Sequence, residues 1–475
     1  MKHPSFLLLL PAGLWLSGLG AFAETPTLIA IKNARIVTVS GPVIAKGTVV
    51  IRDGLIEAVG DSVVEPAGAW VVEGEGLTVY PGLIDGLNTL GLPGATPVGQ
   101  PTTQGRRGTP PDFPGPPDPS PSPSPTPAPS PAPAPSPVAI RSAAPSAPPA
   151  RGPEDRPSNT SYLLAADQID ASDRRLEAAR NAGFTGSVSF PTRGIFAGHG
   201  AVINLAGRRP GQMVVQSPAG LFLTLRSGGF GGGFPGSPMG VIAYIRQIFL
   251  DAGHYKMAQE IYAQNPRGLR RPDYDKTLEG VLVAPRVLLP ASDRKEIDRM
   301  LRFAAELKLN AVLYGAHEAY NSTGILKQQR VPVLVNLRWP ERSREPDPEA
   351  EESLRILELR DKAPSSAAAL AKAGVPFAFF AGGLERPSDV PRAVKKAMDA
   401  GLSPADAVRA LTLSVAEIFG VADRLGSIEK GKIANLIVTK GDLFQERTET
   451  KYVFVDGVKF EPAAETPAVP TEVTR

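Results

Sequence analysis

From about residue 160 to residue 420, short apolar runs of strand length alternate with longer amphipathic stretches, and this rhythm restricts the fold more than any other feature of the chain. The runs at 184–190, 287–289, 311–314, 331–335 and 376–380 are brief, apolar and rich in β-branched or aromatic residues, the pattern of strands buried on both faces. Helical patterns lie between most of them. The clearest opens at Ser403-Pro404-Ala405-Asp406, an N-cap with proline at N1 and a carboxylate at N3, and sets Val408, Leu411, Val415 and Ile418 on one stripe before Gly420. Strand followed by helix, repeated, predicts a parallel α/β sheet. Its length favours a (β/α)8 TIM-like barrel over a doubly wound open sheet.

The two ends of the chain are written differently. Residues 28–31, 35–39, 48–51 and 69–72 are short strand-like runs, and 434–438 and 453–458 repeat the style. Asp53-Gly54 and Asp456-Gly457 are the dipeptides that a type I′ hairpin prefers, because both central residues need a positive φ. Strands at both termini around a long middle predict one small composite β-sandwich domain built from the two chain ends.

One stretch fits neither pattern. Between residues 119 and 137 every second residue is proline, separated by Ser, Thr or Ala, inside a Pro-rich insertion spanning 94–158. Such a tract favours extended polyproline II at ~3.1 Å per residue and cannot join a packed core. The expectation is a disordered insertion rooted beside the first barrel strand, either a plain solvated loop or a tether or lid.

At the amino terminus, Met1-Lys2-His3, an apolar run from Phe6 to Leu19 and Ala21-Phe22-Ala23 read as a secretory signal over residues 1–23. A secreted protein with the periplasm as its address follows, without a transmembrane segment after signal removal. With 51 Lys and Arg against 48 Asp and Glu, nothing argues for nucleic acid. The absence of cysteine excludes disulfides and thiol chemistry.

The residues that bear on chemistry begin at Val79-Tyr80-Pro81-Gly82-Leu83-Ile84-Asp85-Gly86-Leu87-Asn88-Thr89-Leu90. This block resembles the first barrel strand of the amidohydrolase superfamily, P-G-x-I-D-x-H-x-H, and the imidazolonepropionase-like branch in particular. Two further blocks carry the resemblance: Gly194 to Gly207 with Ile195-Phe196-Ala197-Gly198-His199, and Gly426-Ser427-Ile428-Glu429-Lys430-Gly431-Lys432-Ile433-Ala434-Asn435-Leu436-Ile437-Val438. The resemblance covers nearly the whole mature chain. It implies a metal-dependent barrel that hydrolyses C–N bonds in cyclic amides, dipeptides or related compounds, using zinc or another divalent metal as cofactor. It also implies a division into 24–80 and 424–462 for the composite domain, 81–93 for the first barrel strand, 159–423 for the rest of the barrel, and a flexible tail over 463–475.

At each metal position the sequence departs from the family. Leu87 and Thr89 match the two histidines of the first strand, Pro290 the histidine of the fifth, Gly315 that of the sixth, and Gly382 the aspartate of the eighth that binds metal and accepts a proton from its water. A hydrolytic zinc needs nitrogen or carboxylate donors plus an open position for water. None of these side chains supplies such a donor, so no metal cofactor is predicted.

Four histidines exist in all, and His3 leaves with the signal. His199 reads as a loop residue after the second strand, His254 as a packed or surface helix residue, and His317 falls two positions beyond the vacated Gly315. Asn88, His199, His317, Glu318, Asn336 and Arg338 are the polar groups expected near strand C-terminal ends, where a pocket would lie. Ser292-Asp293 reads as an N-cap, and residues 228–236, rich in glycine with Phe230 and Phe234, as a mobile flap. No catalytic residue is identifiable. The expected function is a secreted amidohydrolase-like protein that has lost hydrolysis and binds a small-molecule ligand or a partner; the alternatives are an active amide or dipeptide hydrolase with a non-standard site, and an assembly partner of an active amidohydrolase paralogue.

Overall fold

A computed structural model describes residues 27–95, 98, 156–225, 234–342, 351–445 and 448–462. The proposed signal, most of the proline-rich insertion, the glycine stretch at 228–233 and the tail from 463 lie outside these residues. Among the described residues, no helix is long and apolar enough to cross a membrane.

The strands are β1 (Leu28–Ile36), β2 (Ile44–Arg52), β3 (Leu55–Gly60), β4 (Trp70–Glu73), β5 (Thr78–Pro81), β6 (Leu83–Asn88), β7 (Phe184–Ser189), β8 (Phe196–His199), β9 (Ala201–Asn204), β10 (Val214–Gln216), β11 (Leu221–Leu223), β12 (Val287–Ala291), β13 (Ala311–Gly315), β14 (Val333–Asn336), β15 (Phe377–Phe380), β16 (Leu436–Lys440), β17 (Glu449–Val455) and β18 (Val458–Phe460). The helices are α1 (Arg174–Asn181), α2 (Pro210–Met213), α3 (Pro238–Gln264), α4 (Lys276–Leu282), α5 (Arg294–Glu306), α6 (Thr323–Gln329), α7 (Leu354–Lys362), α8 (Ser365–Ala373), α9 (Val390–Asp399), α10 (Pro404–Ala410) and α11 (Leu413–Phe419). The chain is a mixed α/β protein.

Strands from both chain ends hydrogen-bond in one eight-stranded sheet, ordered β18-β17-β16-β5-β1-β2-β3 with β4 beside β1. All these terminal strands join a single sheet, not the two of a sandwich. Both predicted turns adopt the positive φ that their residues permit, 50° at Asp53 and 81° at Gly54, 53° at Asp456 and 74° at Gly457. Alternation gives the sheet two apolar faces: Val79, Leu436, Val438 and Phe454 join Ile29, Ile31 and Ile51 in one cluster. Tyr80, Ile437, Val453 and Val455 join the core of the α/β body. The buried amide of Asn435 ties the two parts, donating to Asn204 Oδ1 at 2.8 Å and accepting from Asp456 N at 2.8 Å.

The remaining strands form a four-stranded sheet, β10-β9-β7-β6, and a six-stranded sheet, β15-β14-β13-β12-β11-β8. Strands β12 to β15 are parallel neighbours, as the sequence rhythm predicts; β11, which that rhythm does not mark, pairs parallel with β12. Segments β8 and β9 are not parallel staves. They flank Gly200 and run antiparallel to β11 and β7 respectively, linking the two sheets. Among the described residues the ladders do not close into a ring. The free ends, β6 and β15, nevertheless lie side by side: a Cβ on Gly86 would sit 2.8 Å from Phe379 O, so only glycine allows the approach.

Alternating residues of these strands converge on one apolar cluster, with Ile84 from β6, Val188 from β7, Val202 from β9, Phe222 from β11, Leu288 from β12, Val312 from β13, Leu334 from β14 and Ala378 from β15. Their neighbours Val287, Leu289, Val333, Val335, Phe377 and Phe379 face the helices instead. The helical stripe read over 404–420 is two helices, broken at Thr412 (φ −136°, ψ −97°). Ser403 caps the first, accepting from Asp406 N at 3.1 Å.

Candidate functional site

The C-terminal ends of the parallel strands are where an α/β fold of this kind presents its chemistry. Here they are packed. Leu87 is fully buried in the cluster with Phe190, Phe380 and Val98. The tilted rings of Phe190 and Phe222 lie 5.6 Å apart between centroids, and those of Phe222 and Tyr314 5.0 Å. Tyr314 turns its hydroxyl to Leu223 O at 2.8 Å.

Thr89 does not share a face with Leu87, because β6 ends at Asn88 and the alternation of a strand stops there. Its Oγ1 accepts from Arg175 Nη1 at 3.0 Å. Arg175 also holds Thr89 O, Leu92 O and Asp173, clamping the exit from β6 onto the start of α1. Gly382 is covered: a Cβ there would meet Val98 O at 2.6 Å and the Phe380 ring at 2.9 Å. Gly315 has φ 111°, and its Cβ would meet Ser292 Oγ at 2.6 Å. Pro290 lies within β12, opposite Tyr314. These positions offer carbon, glycine backbone and one hydroxyl already engaged, a donor set that does not fit a hydrolytic divalent metal. Among the described residues, no three His, Cys, Asp or Glu side chains converge as a metal site.

The predicted polar residues fall into separate places. Contrary to its reading as a loop residue, His199 ends strand β8. It is fully buried, with Nε2 2.6 Å from Gly280 O and Nδ1 without a hydrogen-bond partner. Its pairing with Leu221, at the start of β11, puts it at the opposite end of the strands from the packed site. Burial lowers its pKa, so the ring is neutral. His254 is an exposed residue of α3.

His317, Asn336 and Arg338 do come together. The His317 ring faces the backbone of Asn336 and Arg338, lies 6.0 Å from Trp339, and has its pKa lowered by burial. Its Nε2 is buried without a hydrogen-bond partner. Asn336 turns Oδ1 to Arg338 N at 2.8 Å, a local turn rather than a ligand contact. Glu318 points elsewhere, accepting from Arg294 N at 3.0 Å at the start of α5. That helix is capped by Asp293, which accepts from Glu296 N at 2.8 Å, so Asp293 and not Ser292 is the cap.

Asn88 donates to Asp85 Oδ2 at 2.5 Å, and Asp85 is the polar residue that sequence reasoning passed over. Its carboxylate also accepts from Leu87 N at 3.3 Å and from Ala381 N at 3.0 Å, which pins β6 to β15 where no ladder joins them. Burial pushes its pKa up to about 6 against these hydrogen bonds. The available signal was a lone acid inside a buried apolar strand. Val98, which covers Gly382, gave no signal.

Residues 361–460, about a fifth of the chain, match the family model described as Amidohydrolase family. A 64-residue segment is 42% identical to an adenine deaminase of Moorella thermoacetica, spanning 14% of this chain and 10% of that enzyme. The fold is shared more widely. A crystal structure of an amidohydrolase from Thermotoga maritima superposes with TM-score 0.68 at 23% identity, covering 91% of this chain and 100% of the other. Molinate hydrolase superposes with TM-score 0.50 at 14% identity, covering 92% and 95%.

Proposed function

We infer that this chain, amidohydrolase in fold and in the sequence pattern of its C-terminal part, is a member of that family whose metal centre has been replaced by packed core, so that it acts by binding and not by hydrolysis. The eight strands carrying the apolar cluster then correspond to the barrel of the family, with β8 and β9 together serving as one antiparallel stave. The observation that carries the reading is the covering of Gly382 by Val98 together with the burial of Leu87 among aromatic rings. A vacated ligand could be replaced by a neighbour, but here the space for metal and water is filled.

The ligand is a small molecule or a partner chain, an active amidohydrolase paralogue among the latter, and the site of action is outside the cytoplasm, in line with the signal-like start. Elemental analysis of the purified mature protein tests the reading directly. Zinc, manganese and iron well below one equivalent are expected; a near-stoichiometric divalent metal overturns it. Co-purification with an endogenous amidohydrolase distinguishes a partner role from a small-molecule one.

One observation favours a second reading, an active hydrolase on a small amide or dipeptide with a non-standard site. His317 keeps a buried nitrogen with no hydrogen-bond partner near the strand ends. Turnover of a panel of dipeptides, lactams and adenine that survives chelator and is lost in His317→Ala supports it; no turnover removes it.

A further inference from the structure

Helix α3 runs for 27 residues and is apolar on two opposite sides. Its inner side sets Val241, Ile245, Ile248 and Ala252, all buried, against the core of the α/β body. On the outer side, at the same helical period, Met239, Ala243, Leu250, Met257 and Ile261 face solvent, with Met239 82% exposed, Leu250 55%, Met257 56% and Ile261 51%. Apolar residues scattered singly over a surface are ordinary. A straight row of them along one helix is the kind of seam by which helices pair.

The five positions lie four, seven, seven and four residues apart, so the row reads the same from either end, with Leu250 at its centre. An antiparallel copy of the helix, related by a twofold axis through Leu250, therefore meets a matching row. Met239 lies opposite Ile261 of the partner subunit, the small Ala243 opposite Met257 of the partner subunit, and Leu250 opposite its own copy. Gly253 adjoins the centre, and a Cβ there would meet nothing, which leaves room for the helices to approach. The antiparallel arrangement also sets the two helix dipoles head to tail.

The charges of α3 suit this pairing. Arg246 is drawn aside to Glu306 at 2.7 Å, Lys256 lies 3.9 Å from Glu260, and Asp251 accepts from Gln247 Nε2 at 2.7 Å, so none of the five positions carries a charge. Two cations balance two anions along the helix, and it lacks the cationic face with which an amphipathic helix settles on an anionic membrane. From Met239 to Ile261 the row is about 33 Å long, and a helix face of that length buries on the order of 500 Å2 per partner, short of the ~800 Å2 of a standard interface. Such an area fits a pair that dissociates on dilution.

We propose that the outer row of α3 is a self-association surface, on which a second copy of this chain docks as an antiparallel, twofold pair centred on Leu250. The proposal goes beyond the binding role inferred above and holds whether or not the strand ends bind metal. Light scattering on a size-exclusion column, with sedimentation velocity over a concentration series, tests it on the full mature chain. A concentration-dependent shift to twice the mass of one chain is expected. Leu250→Asp should weaken dimerisation by roughly thirtyfold or more, as loss of a central anchor does. Leu250→Lys should do the same, whereas mixing the two variants should restore the dimer, because the axis sets position 250 against itself. The chain has no cysteine, so Leu250→Cys should give a disulfide-linked dimer on mild oxidation, while Val64→Cys, at a position 82% exposed before β4, should not.

Leu354→Asp, at an exposed apolar position on α7, should leave the dimer unchanged. Because Leu250 is on the surface, circular dichroism of its variants should match that of the wild type. The proposal is overturned if the wild type stays monomeric at every concentration, if its dimer survives Leu250→Asp, or if the mixed Leu250→Asp and Leu250→Lys chains fail to pair. A monomer that sediments with anionic vesicles would make the row a membrane-contact face and would likewise overturn it.

Discussion

Asp85 sits where a charge is least welcome, fully enclosed between the first and last strands of the apolar cluster, and its three donors offset only part of the desolvation. Its folded pKa, about 6, lies above the 3.8 of an unperturbed aspartate. The folded state therefore binds this proton more tightly than the unfolded chain. Its contribution is fully present below about pH 4 and is lost as pH rises through about 6, a change on the order of 3 kcal/mol. Asp85→Asn keeps an acceptor for Leu87 N and Ala381 N and has no charge to bury. Subtracting its chemical-denaturation profile from that of the wild type should isolate a step between pH 4 and 6; a flat difference would show that the carboxyl is not desolvated as described. Gly382 makes the complementary point. Gly382→Asp places a carboxylate where the resemblance to amidohydrolases puts a metal-binding acid, but its Cβ must displace Val98 O and the Phe380 ring. A loss of about 1–3 kcal/mol is expected from the overpacking, with no gain of zinc by elemental analysis. Stoichiometric zinc in this single variant would mean that the centre is nearly intact.

At the scale of elements, the capping of α5 shows what a sequence can disclose. Asp293 and Glu296 form a reciprocal box, Glu296 accepting from Asp293 N at 3.4 Å and also from Ser292 N at 2.8 Å. Asp293→Ala should cost about 1 kcal/mol in urea unfolding; no change would mean that the start of α5 is held by its packing alone. Capping, turn chemistry and strand runs are local, and so Ser403, Asp53-Gly54 and the parallel run from β12 to β15 were legible. Long-range geometry was not. The antiparallel crossing at β8 and β9 depends on the Gly200 backbone lying against the Phe190 ring, where a Cβ would approach to 2.4 Å, and no periodicity encodes that contact. The break at Thr412 likewise overrides a continuous apolar stripe, and it lets Leu411 O accept from Ile84 N at 2.7 Å, binding the end of α10 to β6. At the site, Leu87, Thr89, Pro290, Gly315 and Gly382 were readable as residue types. That Thr89 turns to Arg175 while Leu87 turns inward was not, because the reading assumed that β6 continued one residue further than it does.

The whole molecule is held together by the one sheet that needs both chain ends. β5 is flanked by β1 on one side and β16 on the other, so removing the C-terminal strands would expose a backbone edge in mid-sheet. It would also strip Leu436, Val438 and Phe454 from one cluster and Ile437, Val453 and Val455 from the core of the α/β body. The six side chains are fully buried, and each contributes ~1.5–3 kcal/mol when taken from water. Their sum, roughly 9–18 kcal/mol, is comparable to the ~5–15 kcal/mol by which a typical domain is stable, and stays a large fraction of it when the unfolded chain already hides part of that area. A chain ending at residue 435 should therefore be recovered as aggregate, with no monodisperse peak in size-exclusion chromatography. Adding residues 436–462 as a separate segment should restore soluble complex, since the missing strands pair through backbone hydrogen bonds that need no covalent link. A truncated chain that elutes as a folded species with wild-type melting behaviour would show that the α/β body stands alone, and that the terminal sheet is an appendage and not part of its core.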